Sequence, residues 1–196
     1  MKRLVLASGS PRRRELLTTL AIPFTVAPSG ADESIPAGVS PAEGAVLVAE
    51  RKAVETAALF GPGDVVLAAD TIVVVDGAVL GKPKDEEEAR RMLSTLSGRA
   101  HEVITGVALF HGGKCRKISV STEVFFRRLD LRIIEWYLST KEPFDKAGGY
   151  GIQGYASSFV ESIRGSCTNV VGLPLAETVT LLEEVGFSPW QTGQDK

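Results

Sequence analysis

Cysteine is nearly missing from this chain: Cys115 and Cys167 are the two present, and no CxxC pair exists. A disulfide framework is therefore excluded as the source of stability. With no secretory leader legible at the start, a reducing, cytoplasmic setting is expected. Long apolar runs are missing too; none approaches the roughly 20 residues that cross a bilayer as a helix, so no membrane partner is expected. Positive charge is not in excess either, since 22 Lys and Arg face 24 Asp and Glu for a net charge of −2. A nucleic-acid polymer requires a basic face that displaces counterions from many phosphates, so any phosphate site here must be local. Histidine is scarce, and His101 and His111 lack the spacing of a zinc site, which excludes a zinc enzyme. The GxxxxGK[ST] phosphate loop is absent as well, and the mechanism of the common ATPases goes with it. What the chain does have is apolar material. Of its 196 residues 44% are hydrophobic, enough to bury a core in one domain spanning 1–196, with residues 189–196 expected as a disordered tail.

The pattern along the chain alternates strands and helices. RLVLAS (3–8) reads as a buried strand, and Ser10-Pro11 caps and opens a helix that runs to Ala21. Phe24 to Ala27 reads as a second strand, and residues 28–39 as a loop that holds Asp32-Glu33. Ser40-Pro41-Ala42-Glu43 is a capping box for a helix ended by Gly61-Pro62-Gly63. Val65 to Val75 is β-branched, and Asp76-Gly77 is a hairpin turn into Ala78 to Leu80. A helix follows over 85–96, then strand-like runs over 101–110 and 117–127 joined through Gly112-Gly113, then a helix over 130–138. Residues 144–155 break the pattern with Gly148, Gly149, Gly151 and Gly154; a strand over 159–163 and a helix over 175–185 complete the chain. There is no internal repeat, and the alternation predicts one α/β unit with a mixed sheet flanked by helices.

Several side chains stand out chemically. Arg12, Arg13 and Arg14 occupy a first helical turn, where cations cost about 0.3 to 1 kcal/mol each against the helix dipole. Either they fan into solvent, or an oligophosphate offsets the cost; the small Ser8-Gly9-Ser10 segment before them favours close approach of phosphate. Asp70 sits inside the apolar run VLAADTIVV. It is either a metal ligand or general base, or an aspartate satisfied by backbone N–H groups. Glu33 is a loop acid of the kind that is usually solvated, yet with Asp70 it offers hard oxygens suited to Mg²⁺ or Mn²⁺. Lys52 and Lys82 are solvated surface cations or point charges for a polyphosphate. DKAGGYGIQG (145–154) makes a poor linker and a good close-approach loop, in which the Gln153 amide can both donate to and accept from a base edge. The plain alternative for this segment is a mobile loop with Tyr150 and Ile152 in the core.

LASGSPRR (6–13), AADT (68–71), GKP (81–83), LSGRAHEVITG (96–106), DKAGGYGIQG and VVGLP (170–174) together resemble the Maf family of nucleotide pyrophosphatases, in its order and spacing and over nearly the whole chain. The resemblance implies a Maf/ITPase-like fold, with a mixed, highly twisted sheet forming two lobes around a central cleft, frequently as a homodimer. It implies release of pyrophosphate from a nucleoside triphosphate with the help of Mg²⁺ or Mn²⁺. By resemblance Asp70 is the proton acceptor, while Ser8, Arg13, Glu33, Lys52 and Lys82 line the cleft. Arg12, Thr71 and Gln153 match the subgroup acting on dTTP and UTP, which sets the expected substrate: those two or modified pyrimidine nucleotides, read by a buried Gln153 amide. The family is also linked to arrested cell division, so two alternatives are a non-catalytic nucleotide-binding regulator of septum formation and a 7-methyl-GTP pyrophosphatase. Retained Glu33 and Asp70 disfavour the first, Thr71 and Gln153 the second. One departure is Cys167, near a position the family often fills with an aromatic.

Overall fold

The computed structural model describes residues 2–191 of the chain. Its elements run β1 (Leu4–Leu6), α1 (Pro11–Thr18), β2 (Phe24–Val26), α2 (Pro41–Ala57), β3 (Val65–Val75), β4 (Ala78–Leu80), α3 (Glu86–Leu96), β5 (Ala100–His111), β6 (Lys114–Phe126), α4 (Leu131–Ser139), β7 (Val160–Arg164), α5 (Cys167–Val171) and α6 (Leu175–Glu183). The seven strands form one sheet in the order β2-β1-β3-β5-β6-β7, with β4 on β3. Pairing is mixed, as expected: β1 is parallel to β2 and to β3, whereas β3–β4 and β6–β7 are antiparallel. No helix among the described residues is long and apolar enough to cross a membrane.

The chain divides into two compact units. The first comprises Met1–Asp70, Thr105–Val120 and Gly172–Lys196. Its β1 and the start of β3 are apolar at every position because both faces are covered. Leu4, Leu6, Val65, Leu67 and Ala69 join Leu17 of α1 and Leu181 and Leu182 of α6 in one cluster. Val5, Ala7, Val66 and Ala68 turn the other way, onto Ala49 and Ala53 of α2. The small residues of α2 let its backbone approach β5 at Gly106, where a side-chain methyl would overlap the backbone of Ala45 and Val46. Backbone cannot step aside as a flexible side chain can. Gly106→Ala is thus expected to cost about 3 kcal/mol, the upper part of the overpacking range, read as a lowered denaturation midpoint; a variant that unfolds with wild-type stability would mean the contact relaxes freely.

The second unit comprises Thr71–Ile104 and Ser121–Val171. Asp76 (φ 50°) and Gly77 (φ 75°) make the expected two-residue turn of the β3–β4 hairpin. The core gathers Leu93 and Leu96 of α3, Val103, Val124 and Phe126 of the strands, Ile134 and Tyr137 of α4, and Tyr150 and Phe159. Where the sequence suggests only an irregular glycine loop, three short 3-10 turns form, at Glu142–Asp145, Ala147–Gly149 and Tyr155–Phe159. Gly148 (φ 69°) and Gly149 (φ 71°) take left-handed backbone, and a methyl on Gly148 would come within 2.9 Å of Val73. The helix α5 was not expected. It is fixed by Asn169, whose buried Nδ2 donates to the Val103 carbonyl (2.9 Å) and Thr122 Oγ1 (3.0 Å). Of the residues 189–196 expected as a tail, 189–191 form a 3-10 turn, with Trp190 Nε1 donating to Glu183 Oε1 at 2.9 Å. Residues 192–196 of that expectation lie outside the described residues.

Candidate active site

In the first unit β1 delivers the chain into Ser8, only 6% exposed. Its Oγ accepts from the Ser10 N–H (3.2 Å) and from Arg13 Nη1 (3.3 Å). Ser10 caps α1 by accepting from the Arg13 N–H, and Pro11 fills the first helical turn, where a missing N–H costs nothing. Arg13 is held from the other side as well, with Nε donating to the Gly172 carbonyl at 2.8 Å. Burial is the main influence on this guanidinium and pushes its pKa below the ordinary value, while Asp70 and Glu33 pull it up and Arg12 pushes it down. An arginine so placed stays charged, and its charge lies within reach of two carboxylates and a second arginine.

The strand register explains how the carboxylates meet it. Residues 66 and 68 of β3 face α2, and Asp70 shares their parity, so it leaves the strand on the α2 side. There Lys52, 9% exposed in its side chain, reaches out from the helix. Its Nζ lies 2.8 Å from Asp70 Oδ1 and 2.6 Å from Glu33 Oε1. Asp70 is 15% exposed and Glu33 57%, so the group opens to solvent on the Glu33 side. Three cations, Arg12, Arg13 and Lys52, thus stand by two carboxylates, Glu33 and Asp70, an excess of one positive charge that attracts an anion. Two carboxylates converging on one ammonium are hard oxygen donors, the type that could contribute to holding a divalent cation. Among the described residues no group of three or more His, Cys, Asp or Glu is gathered for a metal, so Glu33 and Asp70 would need further oxygen ligands from water or phosphate.

The remaining candidates lie in the second unit, which starts at Thr71, half-buried and of opposite parity to Asp70 on β3. Lys82 is exposed in Gly81-Lys82-Pro83. That segment is joined to the glycine loop: the Gly148 N–H donates to the Gly81 carbonyl at 3.0 Å, and Gly149 stacks beside Pro83. Tyr150 anchors the loop in the core, its hydroxyl 2.7 Å from His101 Nε2. Burial pushes His101 down to about 4, so this ring is neutral near pH 7. Gln153, expected to be buried, is exposed. Gly151 packs on Lys146 and Gly154 on Glu142, which leaves Gln153 between them facing outward. Sequence reasoning missed the Gly172 carbonyl as the anchor of Arg13, although VVGLP was singled out as a motif.

The family of Maf-like proteins matches residues 3–185. A dTTP/UTP pyrophosphatase of Anaeromyxobacter dehalogenans (strain 2CP-C) is 52% identical over 96% of this chain and 97% of its own. One of Pyrococcus abyssi (strain GE5 / Orsay) is 53% identical over 95% of this chain and 97% of its own. Among solved structures, the Ham1 protein of Staphylococcus aureus is more remote, at 16% identity over 64% of this chain and 72% of that one, with a TM-score of 0.45.

Proposed function

Because the chain belongs to the Maf-like protein family, we propose that it is a nucleoside triphosphate pyrophosphatase that converts dTTP and UTP to the monophosphate and pyrophosphate. The observation that carries this reading is Lys52 held between Asp70 and Glu33 beside the half-buried Arg13. The substrate choice rests on relatives at about half identity over nearly their full length, which are named dTTP/UTP pyrophosphatases.

In the proposed reaction Asp70 takes a proton from water, whose oxygen bonds to the α-phosphorus; the bond from that phosphorus to the bridging oxygen breaks, and pyrophosphate leaves with the electron pair. Positioning and charge neutralisation do most of the work in such transfers. Arg13 suits a phosphate clamp, since Ser8 and the Gly172 carbonyl fix its fork before substrate arrives. Arg12 adds charge beside it, and Lys52 orients Asp70. Glu33 and Asp70 would hold Mg²⁺ or Mn²⁺, whose chemistry is to polarise phosphoryl oxygens and lower the pKa of bound water. Lys82, Thr71 and Gln153 are assigned to the polyphosphate and the base on the strength of the motifs. We place the protein in the cytoplasm, a reducing compartment that suits its two free thiols, and propose that it acts as a homodimer.

The test is product analysis. With dTTP or UTP and Mn²⁺, monophosphate and pyrophosphate are expected, and excess EDTA should stop turnover. Orthophosphate and a nucleoside diphosphate would show attack at the γ-phosphorus and overturn the reaction, and full activity in EDTA would remove the metal.

A further inference from the structure

The exposed Gln153 turn is held in shape by groups that the reaction itself does not use. Glu142 follows Lys141, whose left-handed backbone (φ 63°) reverses the chain directly after α4. That reversal lays the Glu142 carboxylate against Tyr137, a residue of α4 with no solvent exposure. The Tyr137 hydroxyl donates to Glu142 Oε1 at 2.9 Å. It also accepts from the Gly151 N–H. The second carboxylate oxygen, Oε2, accepts from the Tyr155 N–H at 2.9 Å. One side-chain pair thus grips the turn at both ends, Gly151 and Tyr155, and leaves Ile152, Gln153 and Gly154 spanning the gap. The span is tight, since a methyl on Gly154 would overlap both carboxylate oxygens. Lys146 closes the base of the turn, donating to the Glu142 carbonyl at 3.0 Å.

We propose that Tyr137 and Glu142 form a clamp that fixes the Gln153 turn and thereby sets discrimination between uracil or thymine and cytosine; this rests on the reading of Gln153 as the residue that meets the base. The physical reason is the direction of the amide. Uracil and thymine present an N3–H donor beside carbonyl acceptors, where cytosine presents an N3 acceptor. An amide held in one orientation pairs with the first pattern and is left unsatisfied by the second. An amide on a loose turn rotates to suit either, and the distinction is lost. Both clamp residues act through Gln153 and are positioning residues.

The experiment measures kcat and KM for UTP, dTTP and CTP in wild type, Tyr137→Phe, Glu142→Gln and Gln153→Ala, and in Tyr137→Phe combined with Gln153→Ala. Tyr137→Phe removes one hydroxyl from a packed ring and keeps the fold, which a cooperative melt verifies. The expected result is that the UTP-to-CTP ratio of kcat/KM falls at least fivefold in Tyr137→Phe and in Glu142→Gln. The fall should come through KM, with kcat for UTP within about threefold of wild type, and Tyr137→Phe should add nothing once Gln153 is alanine. If Gln153→Ala leaves the ratio unchanged, the base-reading role fails and this inference falls with it. If Gln153→Ala collapses the ratio while the clamp variants do not, or they lower all three substrates equally, the clamp alone is overturned.

Discussion

Asp70→Asn is expected to lower kcat for dTTP and UTP by about 10² to 10⁴-fold, the range supplied by a positioned general base, while the variant folds and melts close to wild type. Asparagine keeps the shape of the side chain and can still accept from Lys52 Nζ, which lies 2.8 Å from Oδ1. What it loses is the ability to take a proton and the full negative charge that a metal ion requires. The two roles separate experimentally. If Asp70 acts mainly as base, raising the pH supplies more hydroxide and recovers part of the loss. If it acts mainly as metal ligand, raising Mn²⁺ recovers it instead. A variant that keeps half the wild-type turnover would make Asp70 a structural partner of Lys52 and send the search for the base elsewhere.

How far the fold was legible depended on whether the signal was local. The Ser40 capping box, the Asp76-Gly77 turn and the Gly112-Gly113 hairpin are short-range devices, and each stands where the sequence places it. Element ends moved by one to three residues, by one at β7 and by three at the end of α1 and the start of β6, because fraying and 3-10 turns decide them. The stretch 142–159 was opaque for a different reason. Its three short turns are imposed by Val73, Gly81, Tyr137 and Glu142, contacts that no periodicity in the stretch itself encodes. The same holds for α5, a helix of five residues stabilised by Asn169 reaching residues more than 40 positions away.

The candidate site divides in the same way. Asp70 was conspicuous because a carboxylate in a β-branched run demands a partner, and the partner turned out to be Lys52. Lys52 itself carried no local signal, since a lysine on a helix is solvated by default; its burial follows from facing β3 along with Ala49 and Ala53. Glu33 is a loop acid of the kind usually solvated, yet its contact with Lys52 is the shorter of the two. Gln153, expected as a buried amide, is exposed, because the neighbouring Gly151 and Gly154 pack on Lys146 and Glu142 and leave the residue between them outward.

That arrangement makes Lys52 a competitor for the oxygens a metal ion would use, and Lys52→Met should reveal it. Methionine matches the length of the stem but leaves Glu33 and Asp70 without the ammonium that now sits 2.6 and 2.8 Å from them. Turnover is expected to fall by about 10² to 10³-fold, comparable to the loss of one preorganised donor in an active site, because Asp70 loses the cation that orients it. The stability loss should stay below the 3 to 5 kcal/mol typical of a broken buried pair, because Glu33 is 57% exposed and water screens it. Binding of Mn²⁺ without nucleotide should move the other way. Two carboxylates freed of their cation repel each other and favour a divalent ion, so the Mn²⁺ dissociation constant, measured by calorimetry, should tighten about tenfold. Asp70→Asn, by contrast, should weaken it. These opposite signs separate the roles better than activity does, since turnover is expected to be low in both variants. Lys52→Arg should keep part of the turnover and the wild-type Mn²⁺ affinity. If Lys52→Met binds Mn²⁺ no better than wild type, the metal does not use the oxygens that Lys52 covers, and its assignment to Glu33 and Asp70 is wrong.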